Sequence, residues 1–246
     1  MMSFIDPSTL ILASVIVFLG ALTQSLIGFG LAVVASPLLY IVDPELVPVP
    51  IIAMGFAISA MTLFRERNHL QFNGLQYALL GRVPGGFLGA GLLLFAPQAI
   101  LGLIIAAIVF IAVILSVYRI TAPINKMSLF IAGVFSGIFG NIAAIGGPPM
   151  AILLAGKDPS KFRAALSAFF VLSSLIALAI LAIVGLVETK HLWLSLMLFP
   201  SIVAGYLVSG LLINHVDKNK TRIATLVLCS ISATVLVIKS TSALIN

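Results

Sequence analysis

Charge is what this chain has least of. Only 8% of its 246 residues are Asp, Glu, Lys or Arg, against roughly 25% in a soluble domain. An ordinary globular enzyme, a disordered segment and a nucleic-acid-binding domain are all excluded by that shortage. Cysteine is nearly absent too. Cys229 stands alone in an apolar run, so there is neither a disulfide framework nor a thiolate metal site. The seven acidic residues fall in loops or at the ends of apolar runs, and no carboxylate pair lies within an apolar run for acid–base work. His-Glu-x-x-His and Gly-x-Ser-x-Gly are missing. His69, His191 and His215 sit at run ends without ligand spacing. No catalytic residue, metal or cofactor is expected. The first ten residues hold no Lys or Arg, so the basic region of a cleaved signal peptide is lacking and the first apolar run is expected to be retained.

What remains is apolar. Hydrophobic residues make up 61% of the chain and the mean hydropathy is +1.26, carried in successive runs about 20 residues long, the pattern of a polytopic helical membrane protein. An outer-membrane barrel would show alternating ten-residue strands instead. Six runs have the length of one crossing: 46–64, 74–96, 98–118, 164–187, 191–213 and 223–243. The stretches 8–42 and 127–155 are long for one crossing and short for two. Gly28-Phe29-Gly30 interrupts the first; Gly140-Asn141 and Gly146-Gly147-Pro148-Pro149 interrupt the second. Each stretch therefore reads as two short helices meeting at a break, a re-entrant hairpin.

Charge placement agrees with that reading. With both hairpins returning to their starting side, four loops share one face and hold Arg65, Arg67, Arg119, Lys126, Lys157, Lys161, Arg163, Lys218, Lys220 and Arg222. The other face has Lys190 and Lys239 together with Asp6, Asp43, Glu45 and Glu188. The positive-inside rule puts the basic face in the cytoplasm and both termini outside, as expected of a multi-pass protein of the inner (plasma) membrane. The expected fold is all-α, with two inverted repeats (1–120 and 121–246), each a broken hairpin followed by three full transmembrane helices. Two offsets support a repeat: 112 relates Gln24, Gly28 and Pro37 to Ser136, Gly140 and Pro149, and 116 relates Pro84 and Gly89 to Pro200 and Gly205. Broken helices in inverted repeats are the architecture of secondary transporters, whose site lies near the midplane.

The run from Gln24 to Leu39, the segments Gly133-Val134-Phe135-Ser136-Gly137 and Gly146-Gly147-Pro148-Pro149, and the run from Lys161 to Leu166 together resemble the TauE/SafE family of sulfite-exporter-like permeases over essentially the whole chain. The resemblance implies movement of small sulfur-containing anions such as sulfite, sulfonates or sulfoacetate. It departs from the triple-glycine run common in that family, having Gly28-Phe29-Gly30 and Gly146-Gly147-Pro148 instead, which leaves the substrate open.

The residues themselves suggest how an anion is held. Unwound backbone exposes N–H groups, and a helix N-terminus presents partial positive charge. Gly28, Phe29, Gly30, Gly146 and Gly147 are the candidate backbone contacts, with Gln24, Ser25, Ser136 and Asn141 as side-chain donors. Tight helix packing is the competing use of these glycines. Pro37, Pro148 and Pro149 read as helix-start residues. Ser36, Ser167, Ser173 and Ser174 are expected to bond back to their own helices. Arg163 either draws anions to the entry or anchors its helix, and Trp193, Tyr40 and Tyr118 fit interfacial positions. Arg82 stands apart as the one charge well inside a span. It is costly there unless it faces a cavity or snorkels to the headgroups, and Pro84-Gly85-Gly86 beside it is expected to loosen the helix and expose donors. The expected partners are a small anionic substrate and the lipid bilayer, no nucleic acid, with a homo-oligomer left open. An anion channel or a non-transporting membrane subunit is the alternative reading.

Overall fold

The computed structural model describes residues 6–70, 74–118, 123–212 and 218–245, without the side chains of residues 218 and 219. Among these residues the chain is all-helical, with ten α-helices and no strand. Eight helical segments are long and apolar enough to cross a membrane. Arg119, His215 and the side chain of Lys218 lie outside the described residues.

Local chemistry sets the helix ends. α1 (Pro7–Ile27) begins with Pro7 at its first position and the Asp6 carboxylate accepting from the Ser8 amide at 3.2 Å, an N-cap supplying one of the missing acceptors. It ends at Gly28, whose φ of 105° suits glycine. α2 (Leu31–Val42) follows after Gly30, and Asp43 then caps a 3-10 turn leading into α3 (Val49–Glu66). α4 (Leu75–Phe95) and α5 (Gln98–Val117) complete the first half. An Asn125/Ser128 capping box opens α6 (Lys126–Ala143), and α7 (Gly147–Leu154) is its short partner. Asp158 caps α8 (Pro159–Ile183), and α9 (Thr189–Leu212) and α10 (Lys218–Ile245) close the bundle.

The two broken stretches are present but lopsided. α1 and α6 have 21 and 18 residues, α2 and α7 only 12 and 8. Each break lies nearer the end than expected, so one arm of each hairpin is span-length rather than short. The second break is also displaced: α6 runs unbroken through Gly140 and Asn141 and stops at Ala144, which has φ 57°. Pro37 lies inside α2 rather than at a helix start, whereas Pro148 and Pro149 do open α7.

This displacement unifies the register. Gly28 and Ala144, both left-handed C-caps, are 116 positions apart, as are Gly30 and Gly146, the residues that precede α2 and α7. Pro84 inside α4 and Pro200 inside α9 keep that same offset, as do Gly89 and Gly205. The offset of 112 instead sets Gly28, a C-cap, against Gly140 inside α6. Packing repeats as well. α4 lies on α6 as α9 lies on α1, α4 on α8 as α9 on α3, and α3 also lies on α8 and α5 on α10. At Gly89 an added Cβ would lie 2.7 Å from the Ile138 carbonyl oxygen; at Gly205 it would lie 2.7 Å from that of Phe18.

Ionic contacts join some of the helix ends. Arg163 Nε donates to Glu66 at 2.8 Å, joining the end of α3 to the start of α8. Toward the other end, Lys190 Nζ contacts Glu45 at 2.8 Å and Glu188 at 3.4 Å, and Lys239 Nζ donates to the Ile41 carbonyl at 2.7 Å. Tyr40 is buried, its hydroxyl donating to the Gln98 carbonyl at 2.6 Å; it is not a belt residue. Tyr118 and Trp193 are exposed.

Candidate functional site

α4 and α6 meet backbone to backbone. A Cβ at Gly81 or Gly85 of α4 would overlap the carbonyl oxygens of Phe130 or Val134 on α6, and one at Gly133 would overlap that of Ala78. Small residues at spacing four permit such an approach, and in lipid, dispersion at close contact is a main source of helix association. Pro84-Gly85-Gly86 is thus a packing segment. α4 stays helical through it, and no loosened donors appear there.

That contact delivers Arg82, next to Gly81, across α6. Its guanidinium occupies the space a side chain at Gly140 would fill. Nη1 donates to the Ser136 carbonyl, Nη2 to Asn141 Oδ1 at 3.5 Å, and Nε to the Ser173 carbonyl on α8 at 3.4 Å. Arg82 is only 3% exposed, which discards snorkelling. Its three acceptors are neutral oxygens rather than carboxylates, and they engage three of the five N–H groups a guanidinium carries. Asn141 is itself fixed by Nδ2 donating to the Gly86 carbonyl at 3.0 Å, and Ser136 Oγ donates to the Gly146 carbonyl at 2.7 Å. The arginine's seat is thereby tied to the second break.

Beside Arg82 is a cavity of about 50 Å³. Both breaks open into it. Phe29 and Gly30 line it with the first turn of α2 (Leu31, Ala32, Val33), and Gly146 and Gly147 line it at the start of α7. The first-turn N–H groups of a helix have no intrahelical acceptor. In α2 one is taken, because Gln24 Oε1 accepts from the Leu31 amide at 3.2 Å, while Gln24 Nε2 donates to Ser59 Oγ at 3.0 Å. Pro148 and Pro149 have no N–H to offer, so α7 contributes chiefly its glycines.

The structure thus sorts the candidates. Gln24, Phe29, Gly30, Arg82, Gly146 and Gly147 line the cavity, and Ser136 and Asn141 reach it through Arg82. Two candidates lie elsewhere. Ser25 Oγ accepts from Ser209 at 2.5 Å and its carbonyl accepts from Arg65 at 2.9 Å, on a different face of α1 from Gln24. Gly28 packs on Phe162 and Arg163. Sequence reasoning missed Ser59, Gly55, Phe170 and Ser174, which also line the cavity, and missed Gly140 as the seat of the guanidinium. Ser173 does bond back, at 3.4 Å to the Phe170 carbonyl, yet it also faces the cavity. Ser36 does not bond back; its hydroxyl donates across to the Ala143 carbonyl at the end of α6. Arg163 is a buried partner of Glu66 rather than an exposed lure.

Residues 12–236 match the family model described as Sulfite exporter TauE/SafE. No curated protein and no solved structure matches the chain.

Proposed function

The chain belongs to the sulfite exporter TauE/SafE family, a family of membrane transporters and not of enzymes, and from that premise we propose that it exports a small sulfur oxyanion held at Arg82 between the two helix breaks. The observation that carries the reading is the arginine itself. A buried guanidinium with only neutral oxygen partners is costly in a membrane core. An anion arriving beside it offsets that cost through charge-assisted hydrogen bonds from the free N–H groups.

The first turns of α2 and α7 add backbone donors and positive helix ends from two further directions. The lining of the cavity, with Arg82 and the glycines of both breaks, suits the head of a small oxyanion. The single 116-residue offset and the exchange of helix contacts between halves support reading 1–120 and 121–246 as inverted repeats about a central site. The end carrying Arg65, Lys161 and Arg163 is then cytoplasmic and the end carrying Glu45 and Glu188 external, in an inner (plasma) membrane.

Purified protein in liposomes tests this with a panel of sulfite, sulfate, thiosulfate and organosulfonates. The expected result is saturable, sulfite-preferring flux with counterflow. Flux that neither saturates nor shows counterflow indicates a channel, and no flux of any of these anions refutes the transporter reading.

A further inference from the structure

A second, larger cavity of about 430 Å³ lies toward the end of the bundle that carries Lys161, bordered by Ser116 of α5, Pro148 and Ala155 of the α7 region, Phe162 of α8 and Arg222 of α10. A small cavity of about 20 Å³ shares Ile27, Ser116 and Arg222 with it and reaches Gly30, Val33 and Cys229. Phe29 borders all three cavities, the inner one beside Arg82 included. Among the described residues no other does so.

The placement of Phe29 fits a moving part. It is the single side chain between Gly28 and Gly30, whose φ values of 105° and 134° belong to glycine. Swinging the Phe29 ring requires rotation at residues free of Cβ restraint rather than unwinding of a helix. The ring leans edge-on against Phe162, with centroids 6.4 Å apart and planes at 65°, and its base lies on Gly147 at the start of α7, 3.3 Å from where a Cβ there would stand. The barrier is therefore held between the two helix breaks, against contacts that an aromatic edge and a glycine can give up cheaply.

We propose that Phe29 is the gate between the inner anion cavity and a vestibule of about 430 Å³. The proposal rests on the anion-carrier reading for what passes. The barrier is tested without any transported substrate.

Gly55 provides the reporter, because it lines the inner cavity and a Cβ added there meets nothing within 4 Å. The full chain with Gly55→Cys and Cys229→Ala is placed in sealed vesicles and treated with an impermeant, negatively charged sulfonatoethyl methanethiosulfonate from the face that labels a Lys161→Cys control. Slow modification is expected with Phe29 in place, at least ten-fold faster modification with Phe29→Ala, and no acceleration with Phe29→Trp. Phe162→Ala, which removes only the ring's support, should give an intermediate rate and serves if Phe29→Ala does not fold.

Equal rates with and without the Phe29 ring, or acceleration only from the opposite face, overturn the proposal; so does absence of modification in every variant, which marks the vestibule as lipid-filled. Sulfite flux measured on the same preparations separates the two claims. Gated labelling without flux of any anion in the panel removes the carrier reading and leaves the gate.

Discussion

The guanidinium of Arg82 occupies the place where a side chain at Gly140 would stand. One residue's charge is thus positioned by another residue's lack of a side chain, 58 positions later in the chain. Gly140→Ala should displace the guanidinium while leaving α6 helical, since alanine favours a helix over glycine by about 1 kcal/mol. The expected outcome is a protein that folds and stays in the membrane but binds sulfite at least about ten-fold more weakly, read by titration against the parent. Unaltered affinity would show that the arginine's seat does not matter.

Glycine contacts between α4 and α6 make a separate prediction about stability. Gly85→Leu places a side chain into the Val134 carbonyl and should cost several kcal/mol, beyond the usual 1–3 kcal/mol of overpacking, because the obstacle is backbone. Gly55→Ala, with open space around it, should be near neutral. Thermal unfolding in detergent compares the two; similar melting temperatures would contradict the packing account.

Charge pairing at the Lys161 end yields a third. Arg163 and Glu66 are both buried and meet at 2.8 Å. Removing one partner of a buried pair typically costs about 3–5 kcal/mol, because the other charge is stranded. Glu66→Gln strands Arg163 and also removes the weaker contact of Arg65 Nε, 3.6 Å from that carboxylate, although Arg65 keeps the Ser25 carbonyl. It should therefore destabilise more than the double variant Glu66→Gln/Arg163→Gln, giving a coupling energy measurable in a double-mutant cycle. Additive effects would dissolve the pair.

Energetics of transport give a fourth. An anion leaving a cell with a negative interior is driven by about 2.3 kcal/mol per charge per 100 mV, and none of the residues lining the cavity is a carboxylate able to carry a proton. Outward sulfite flux in liposomes should therefore rise with an imposed potential, positive on the receiving side. Flux indifferent to potential but following a pH or Na⁺ gradient would contradict potential-driven export.

Much of this was legible in the sequence, for identifiable reasons. Gly28 and Gly30 announce the first break because both take positive φ, and Arg82 stands out as a charge in an apolar run. Gly140 misleads: a glycine in a membrane helix serves a break or a close neighbour equally well, and its neighbour is Arg82 of another helix. Of the two interruptions expected in the second stretch, only the one at Gly146 to Pro149 breaks the helix; α6 continues through Gly140 and Asn141. Ser25 and Gln24 are adjacent in sequence, but successive residues on a helix point about 100° apart, so only Gln24 reaches the cavity. The acceptors of Arg82 include two backbone carbonyls, Ser136 and Ser173, and a carbonyl leaves no mark on residue type. Glu66 and Arg163, separated by 97 positions, meet through the packing of α3 on α8, which no local pattern encodes.

Oxyanion binding at Arg82 is read by sulfite titration of folded, purified Arg82→Gln and Arg82→Lys protein. Charge-assisted hydrogen bonds are worth about 1.5–3 kcal/mol, so Gln should weaken sulfite binding roughly 10- to 100-fold. Lys should recover part of it, because it keeps the charge but not the planar fork. Sulfite affinity equal to the parent in a well-folded Arg82→Gln protein would contradict the account.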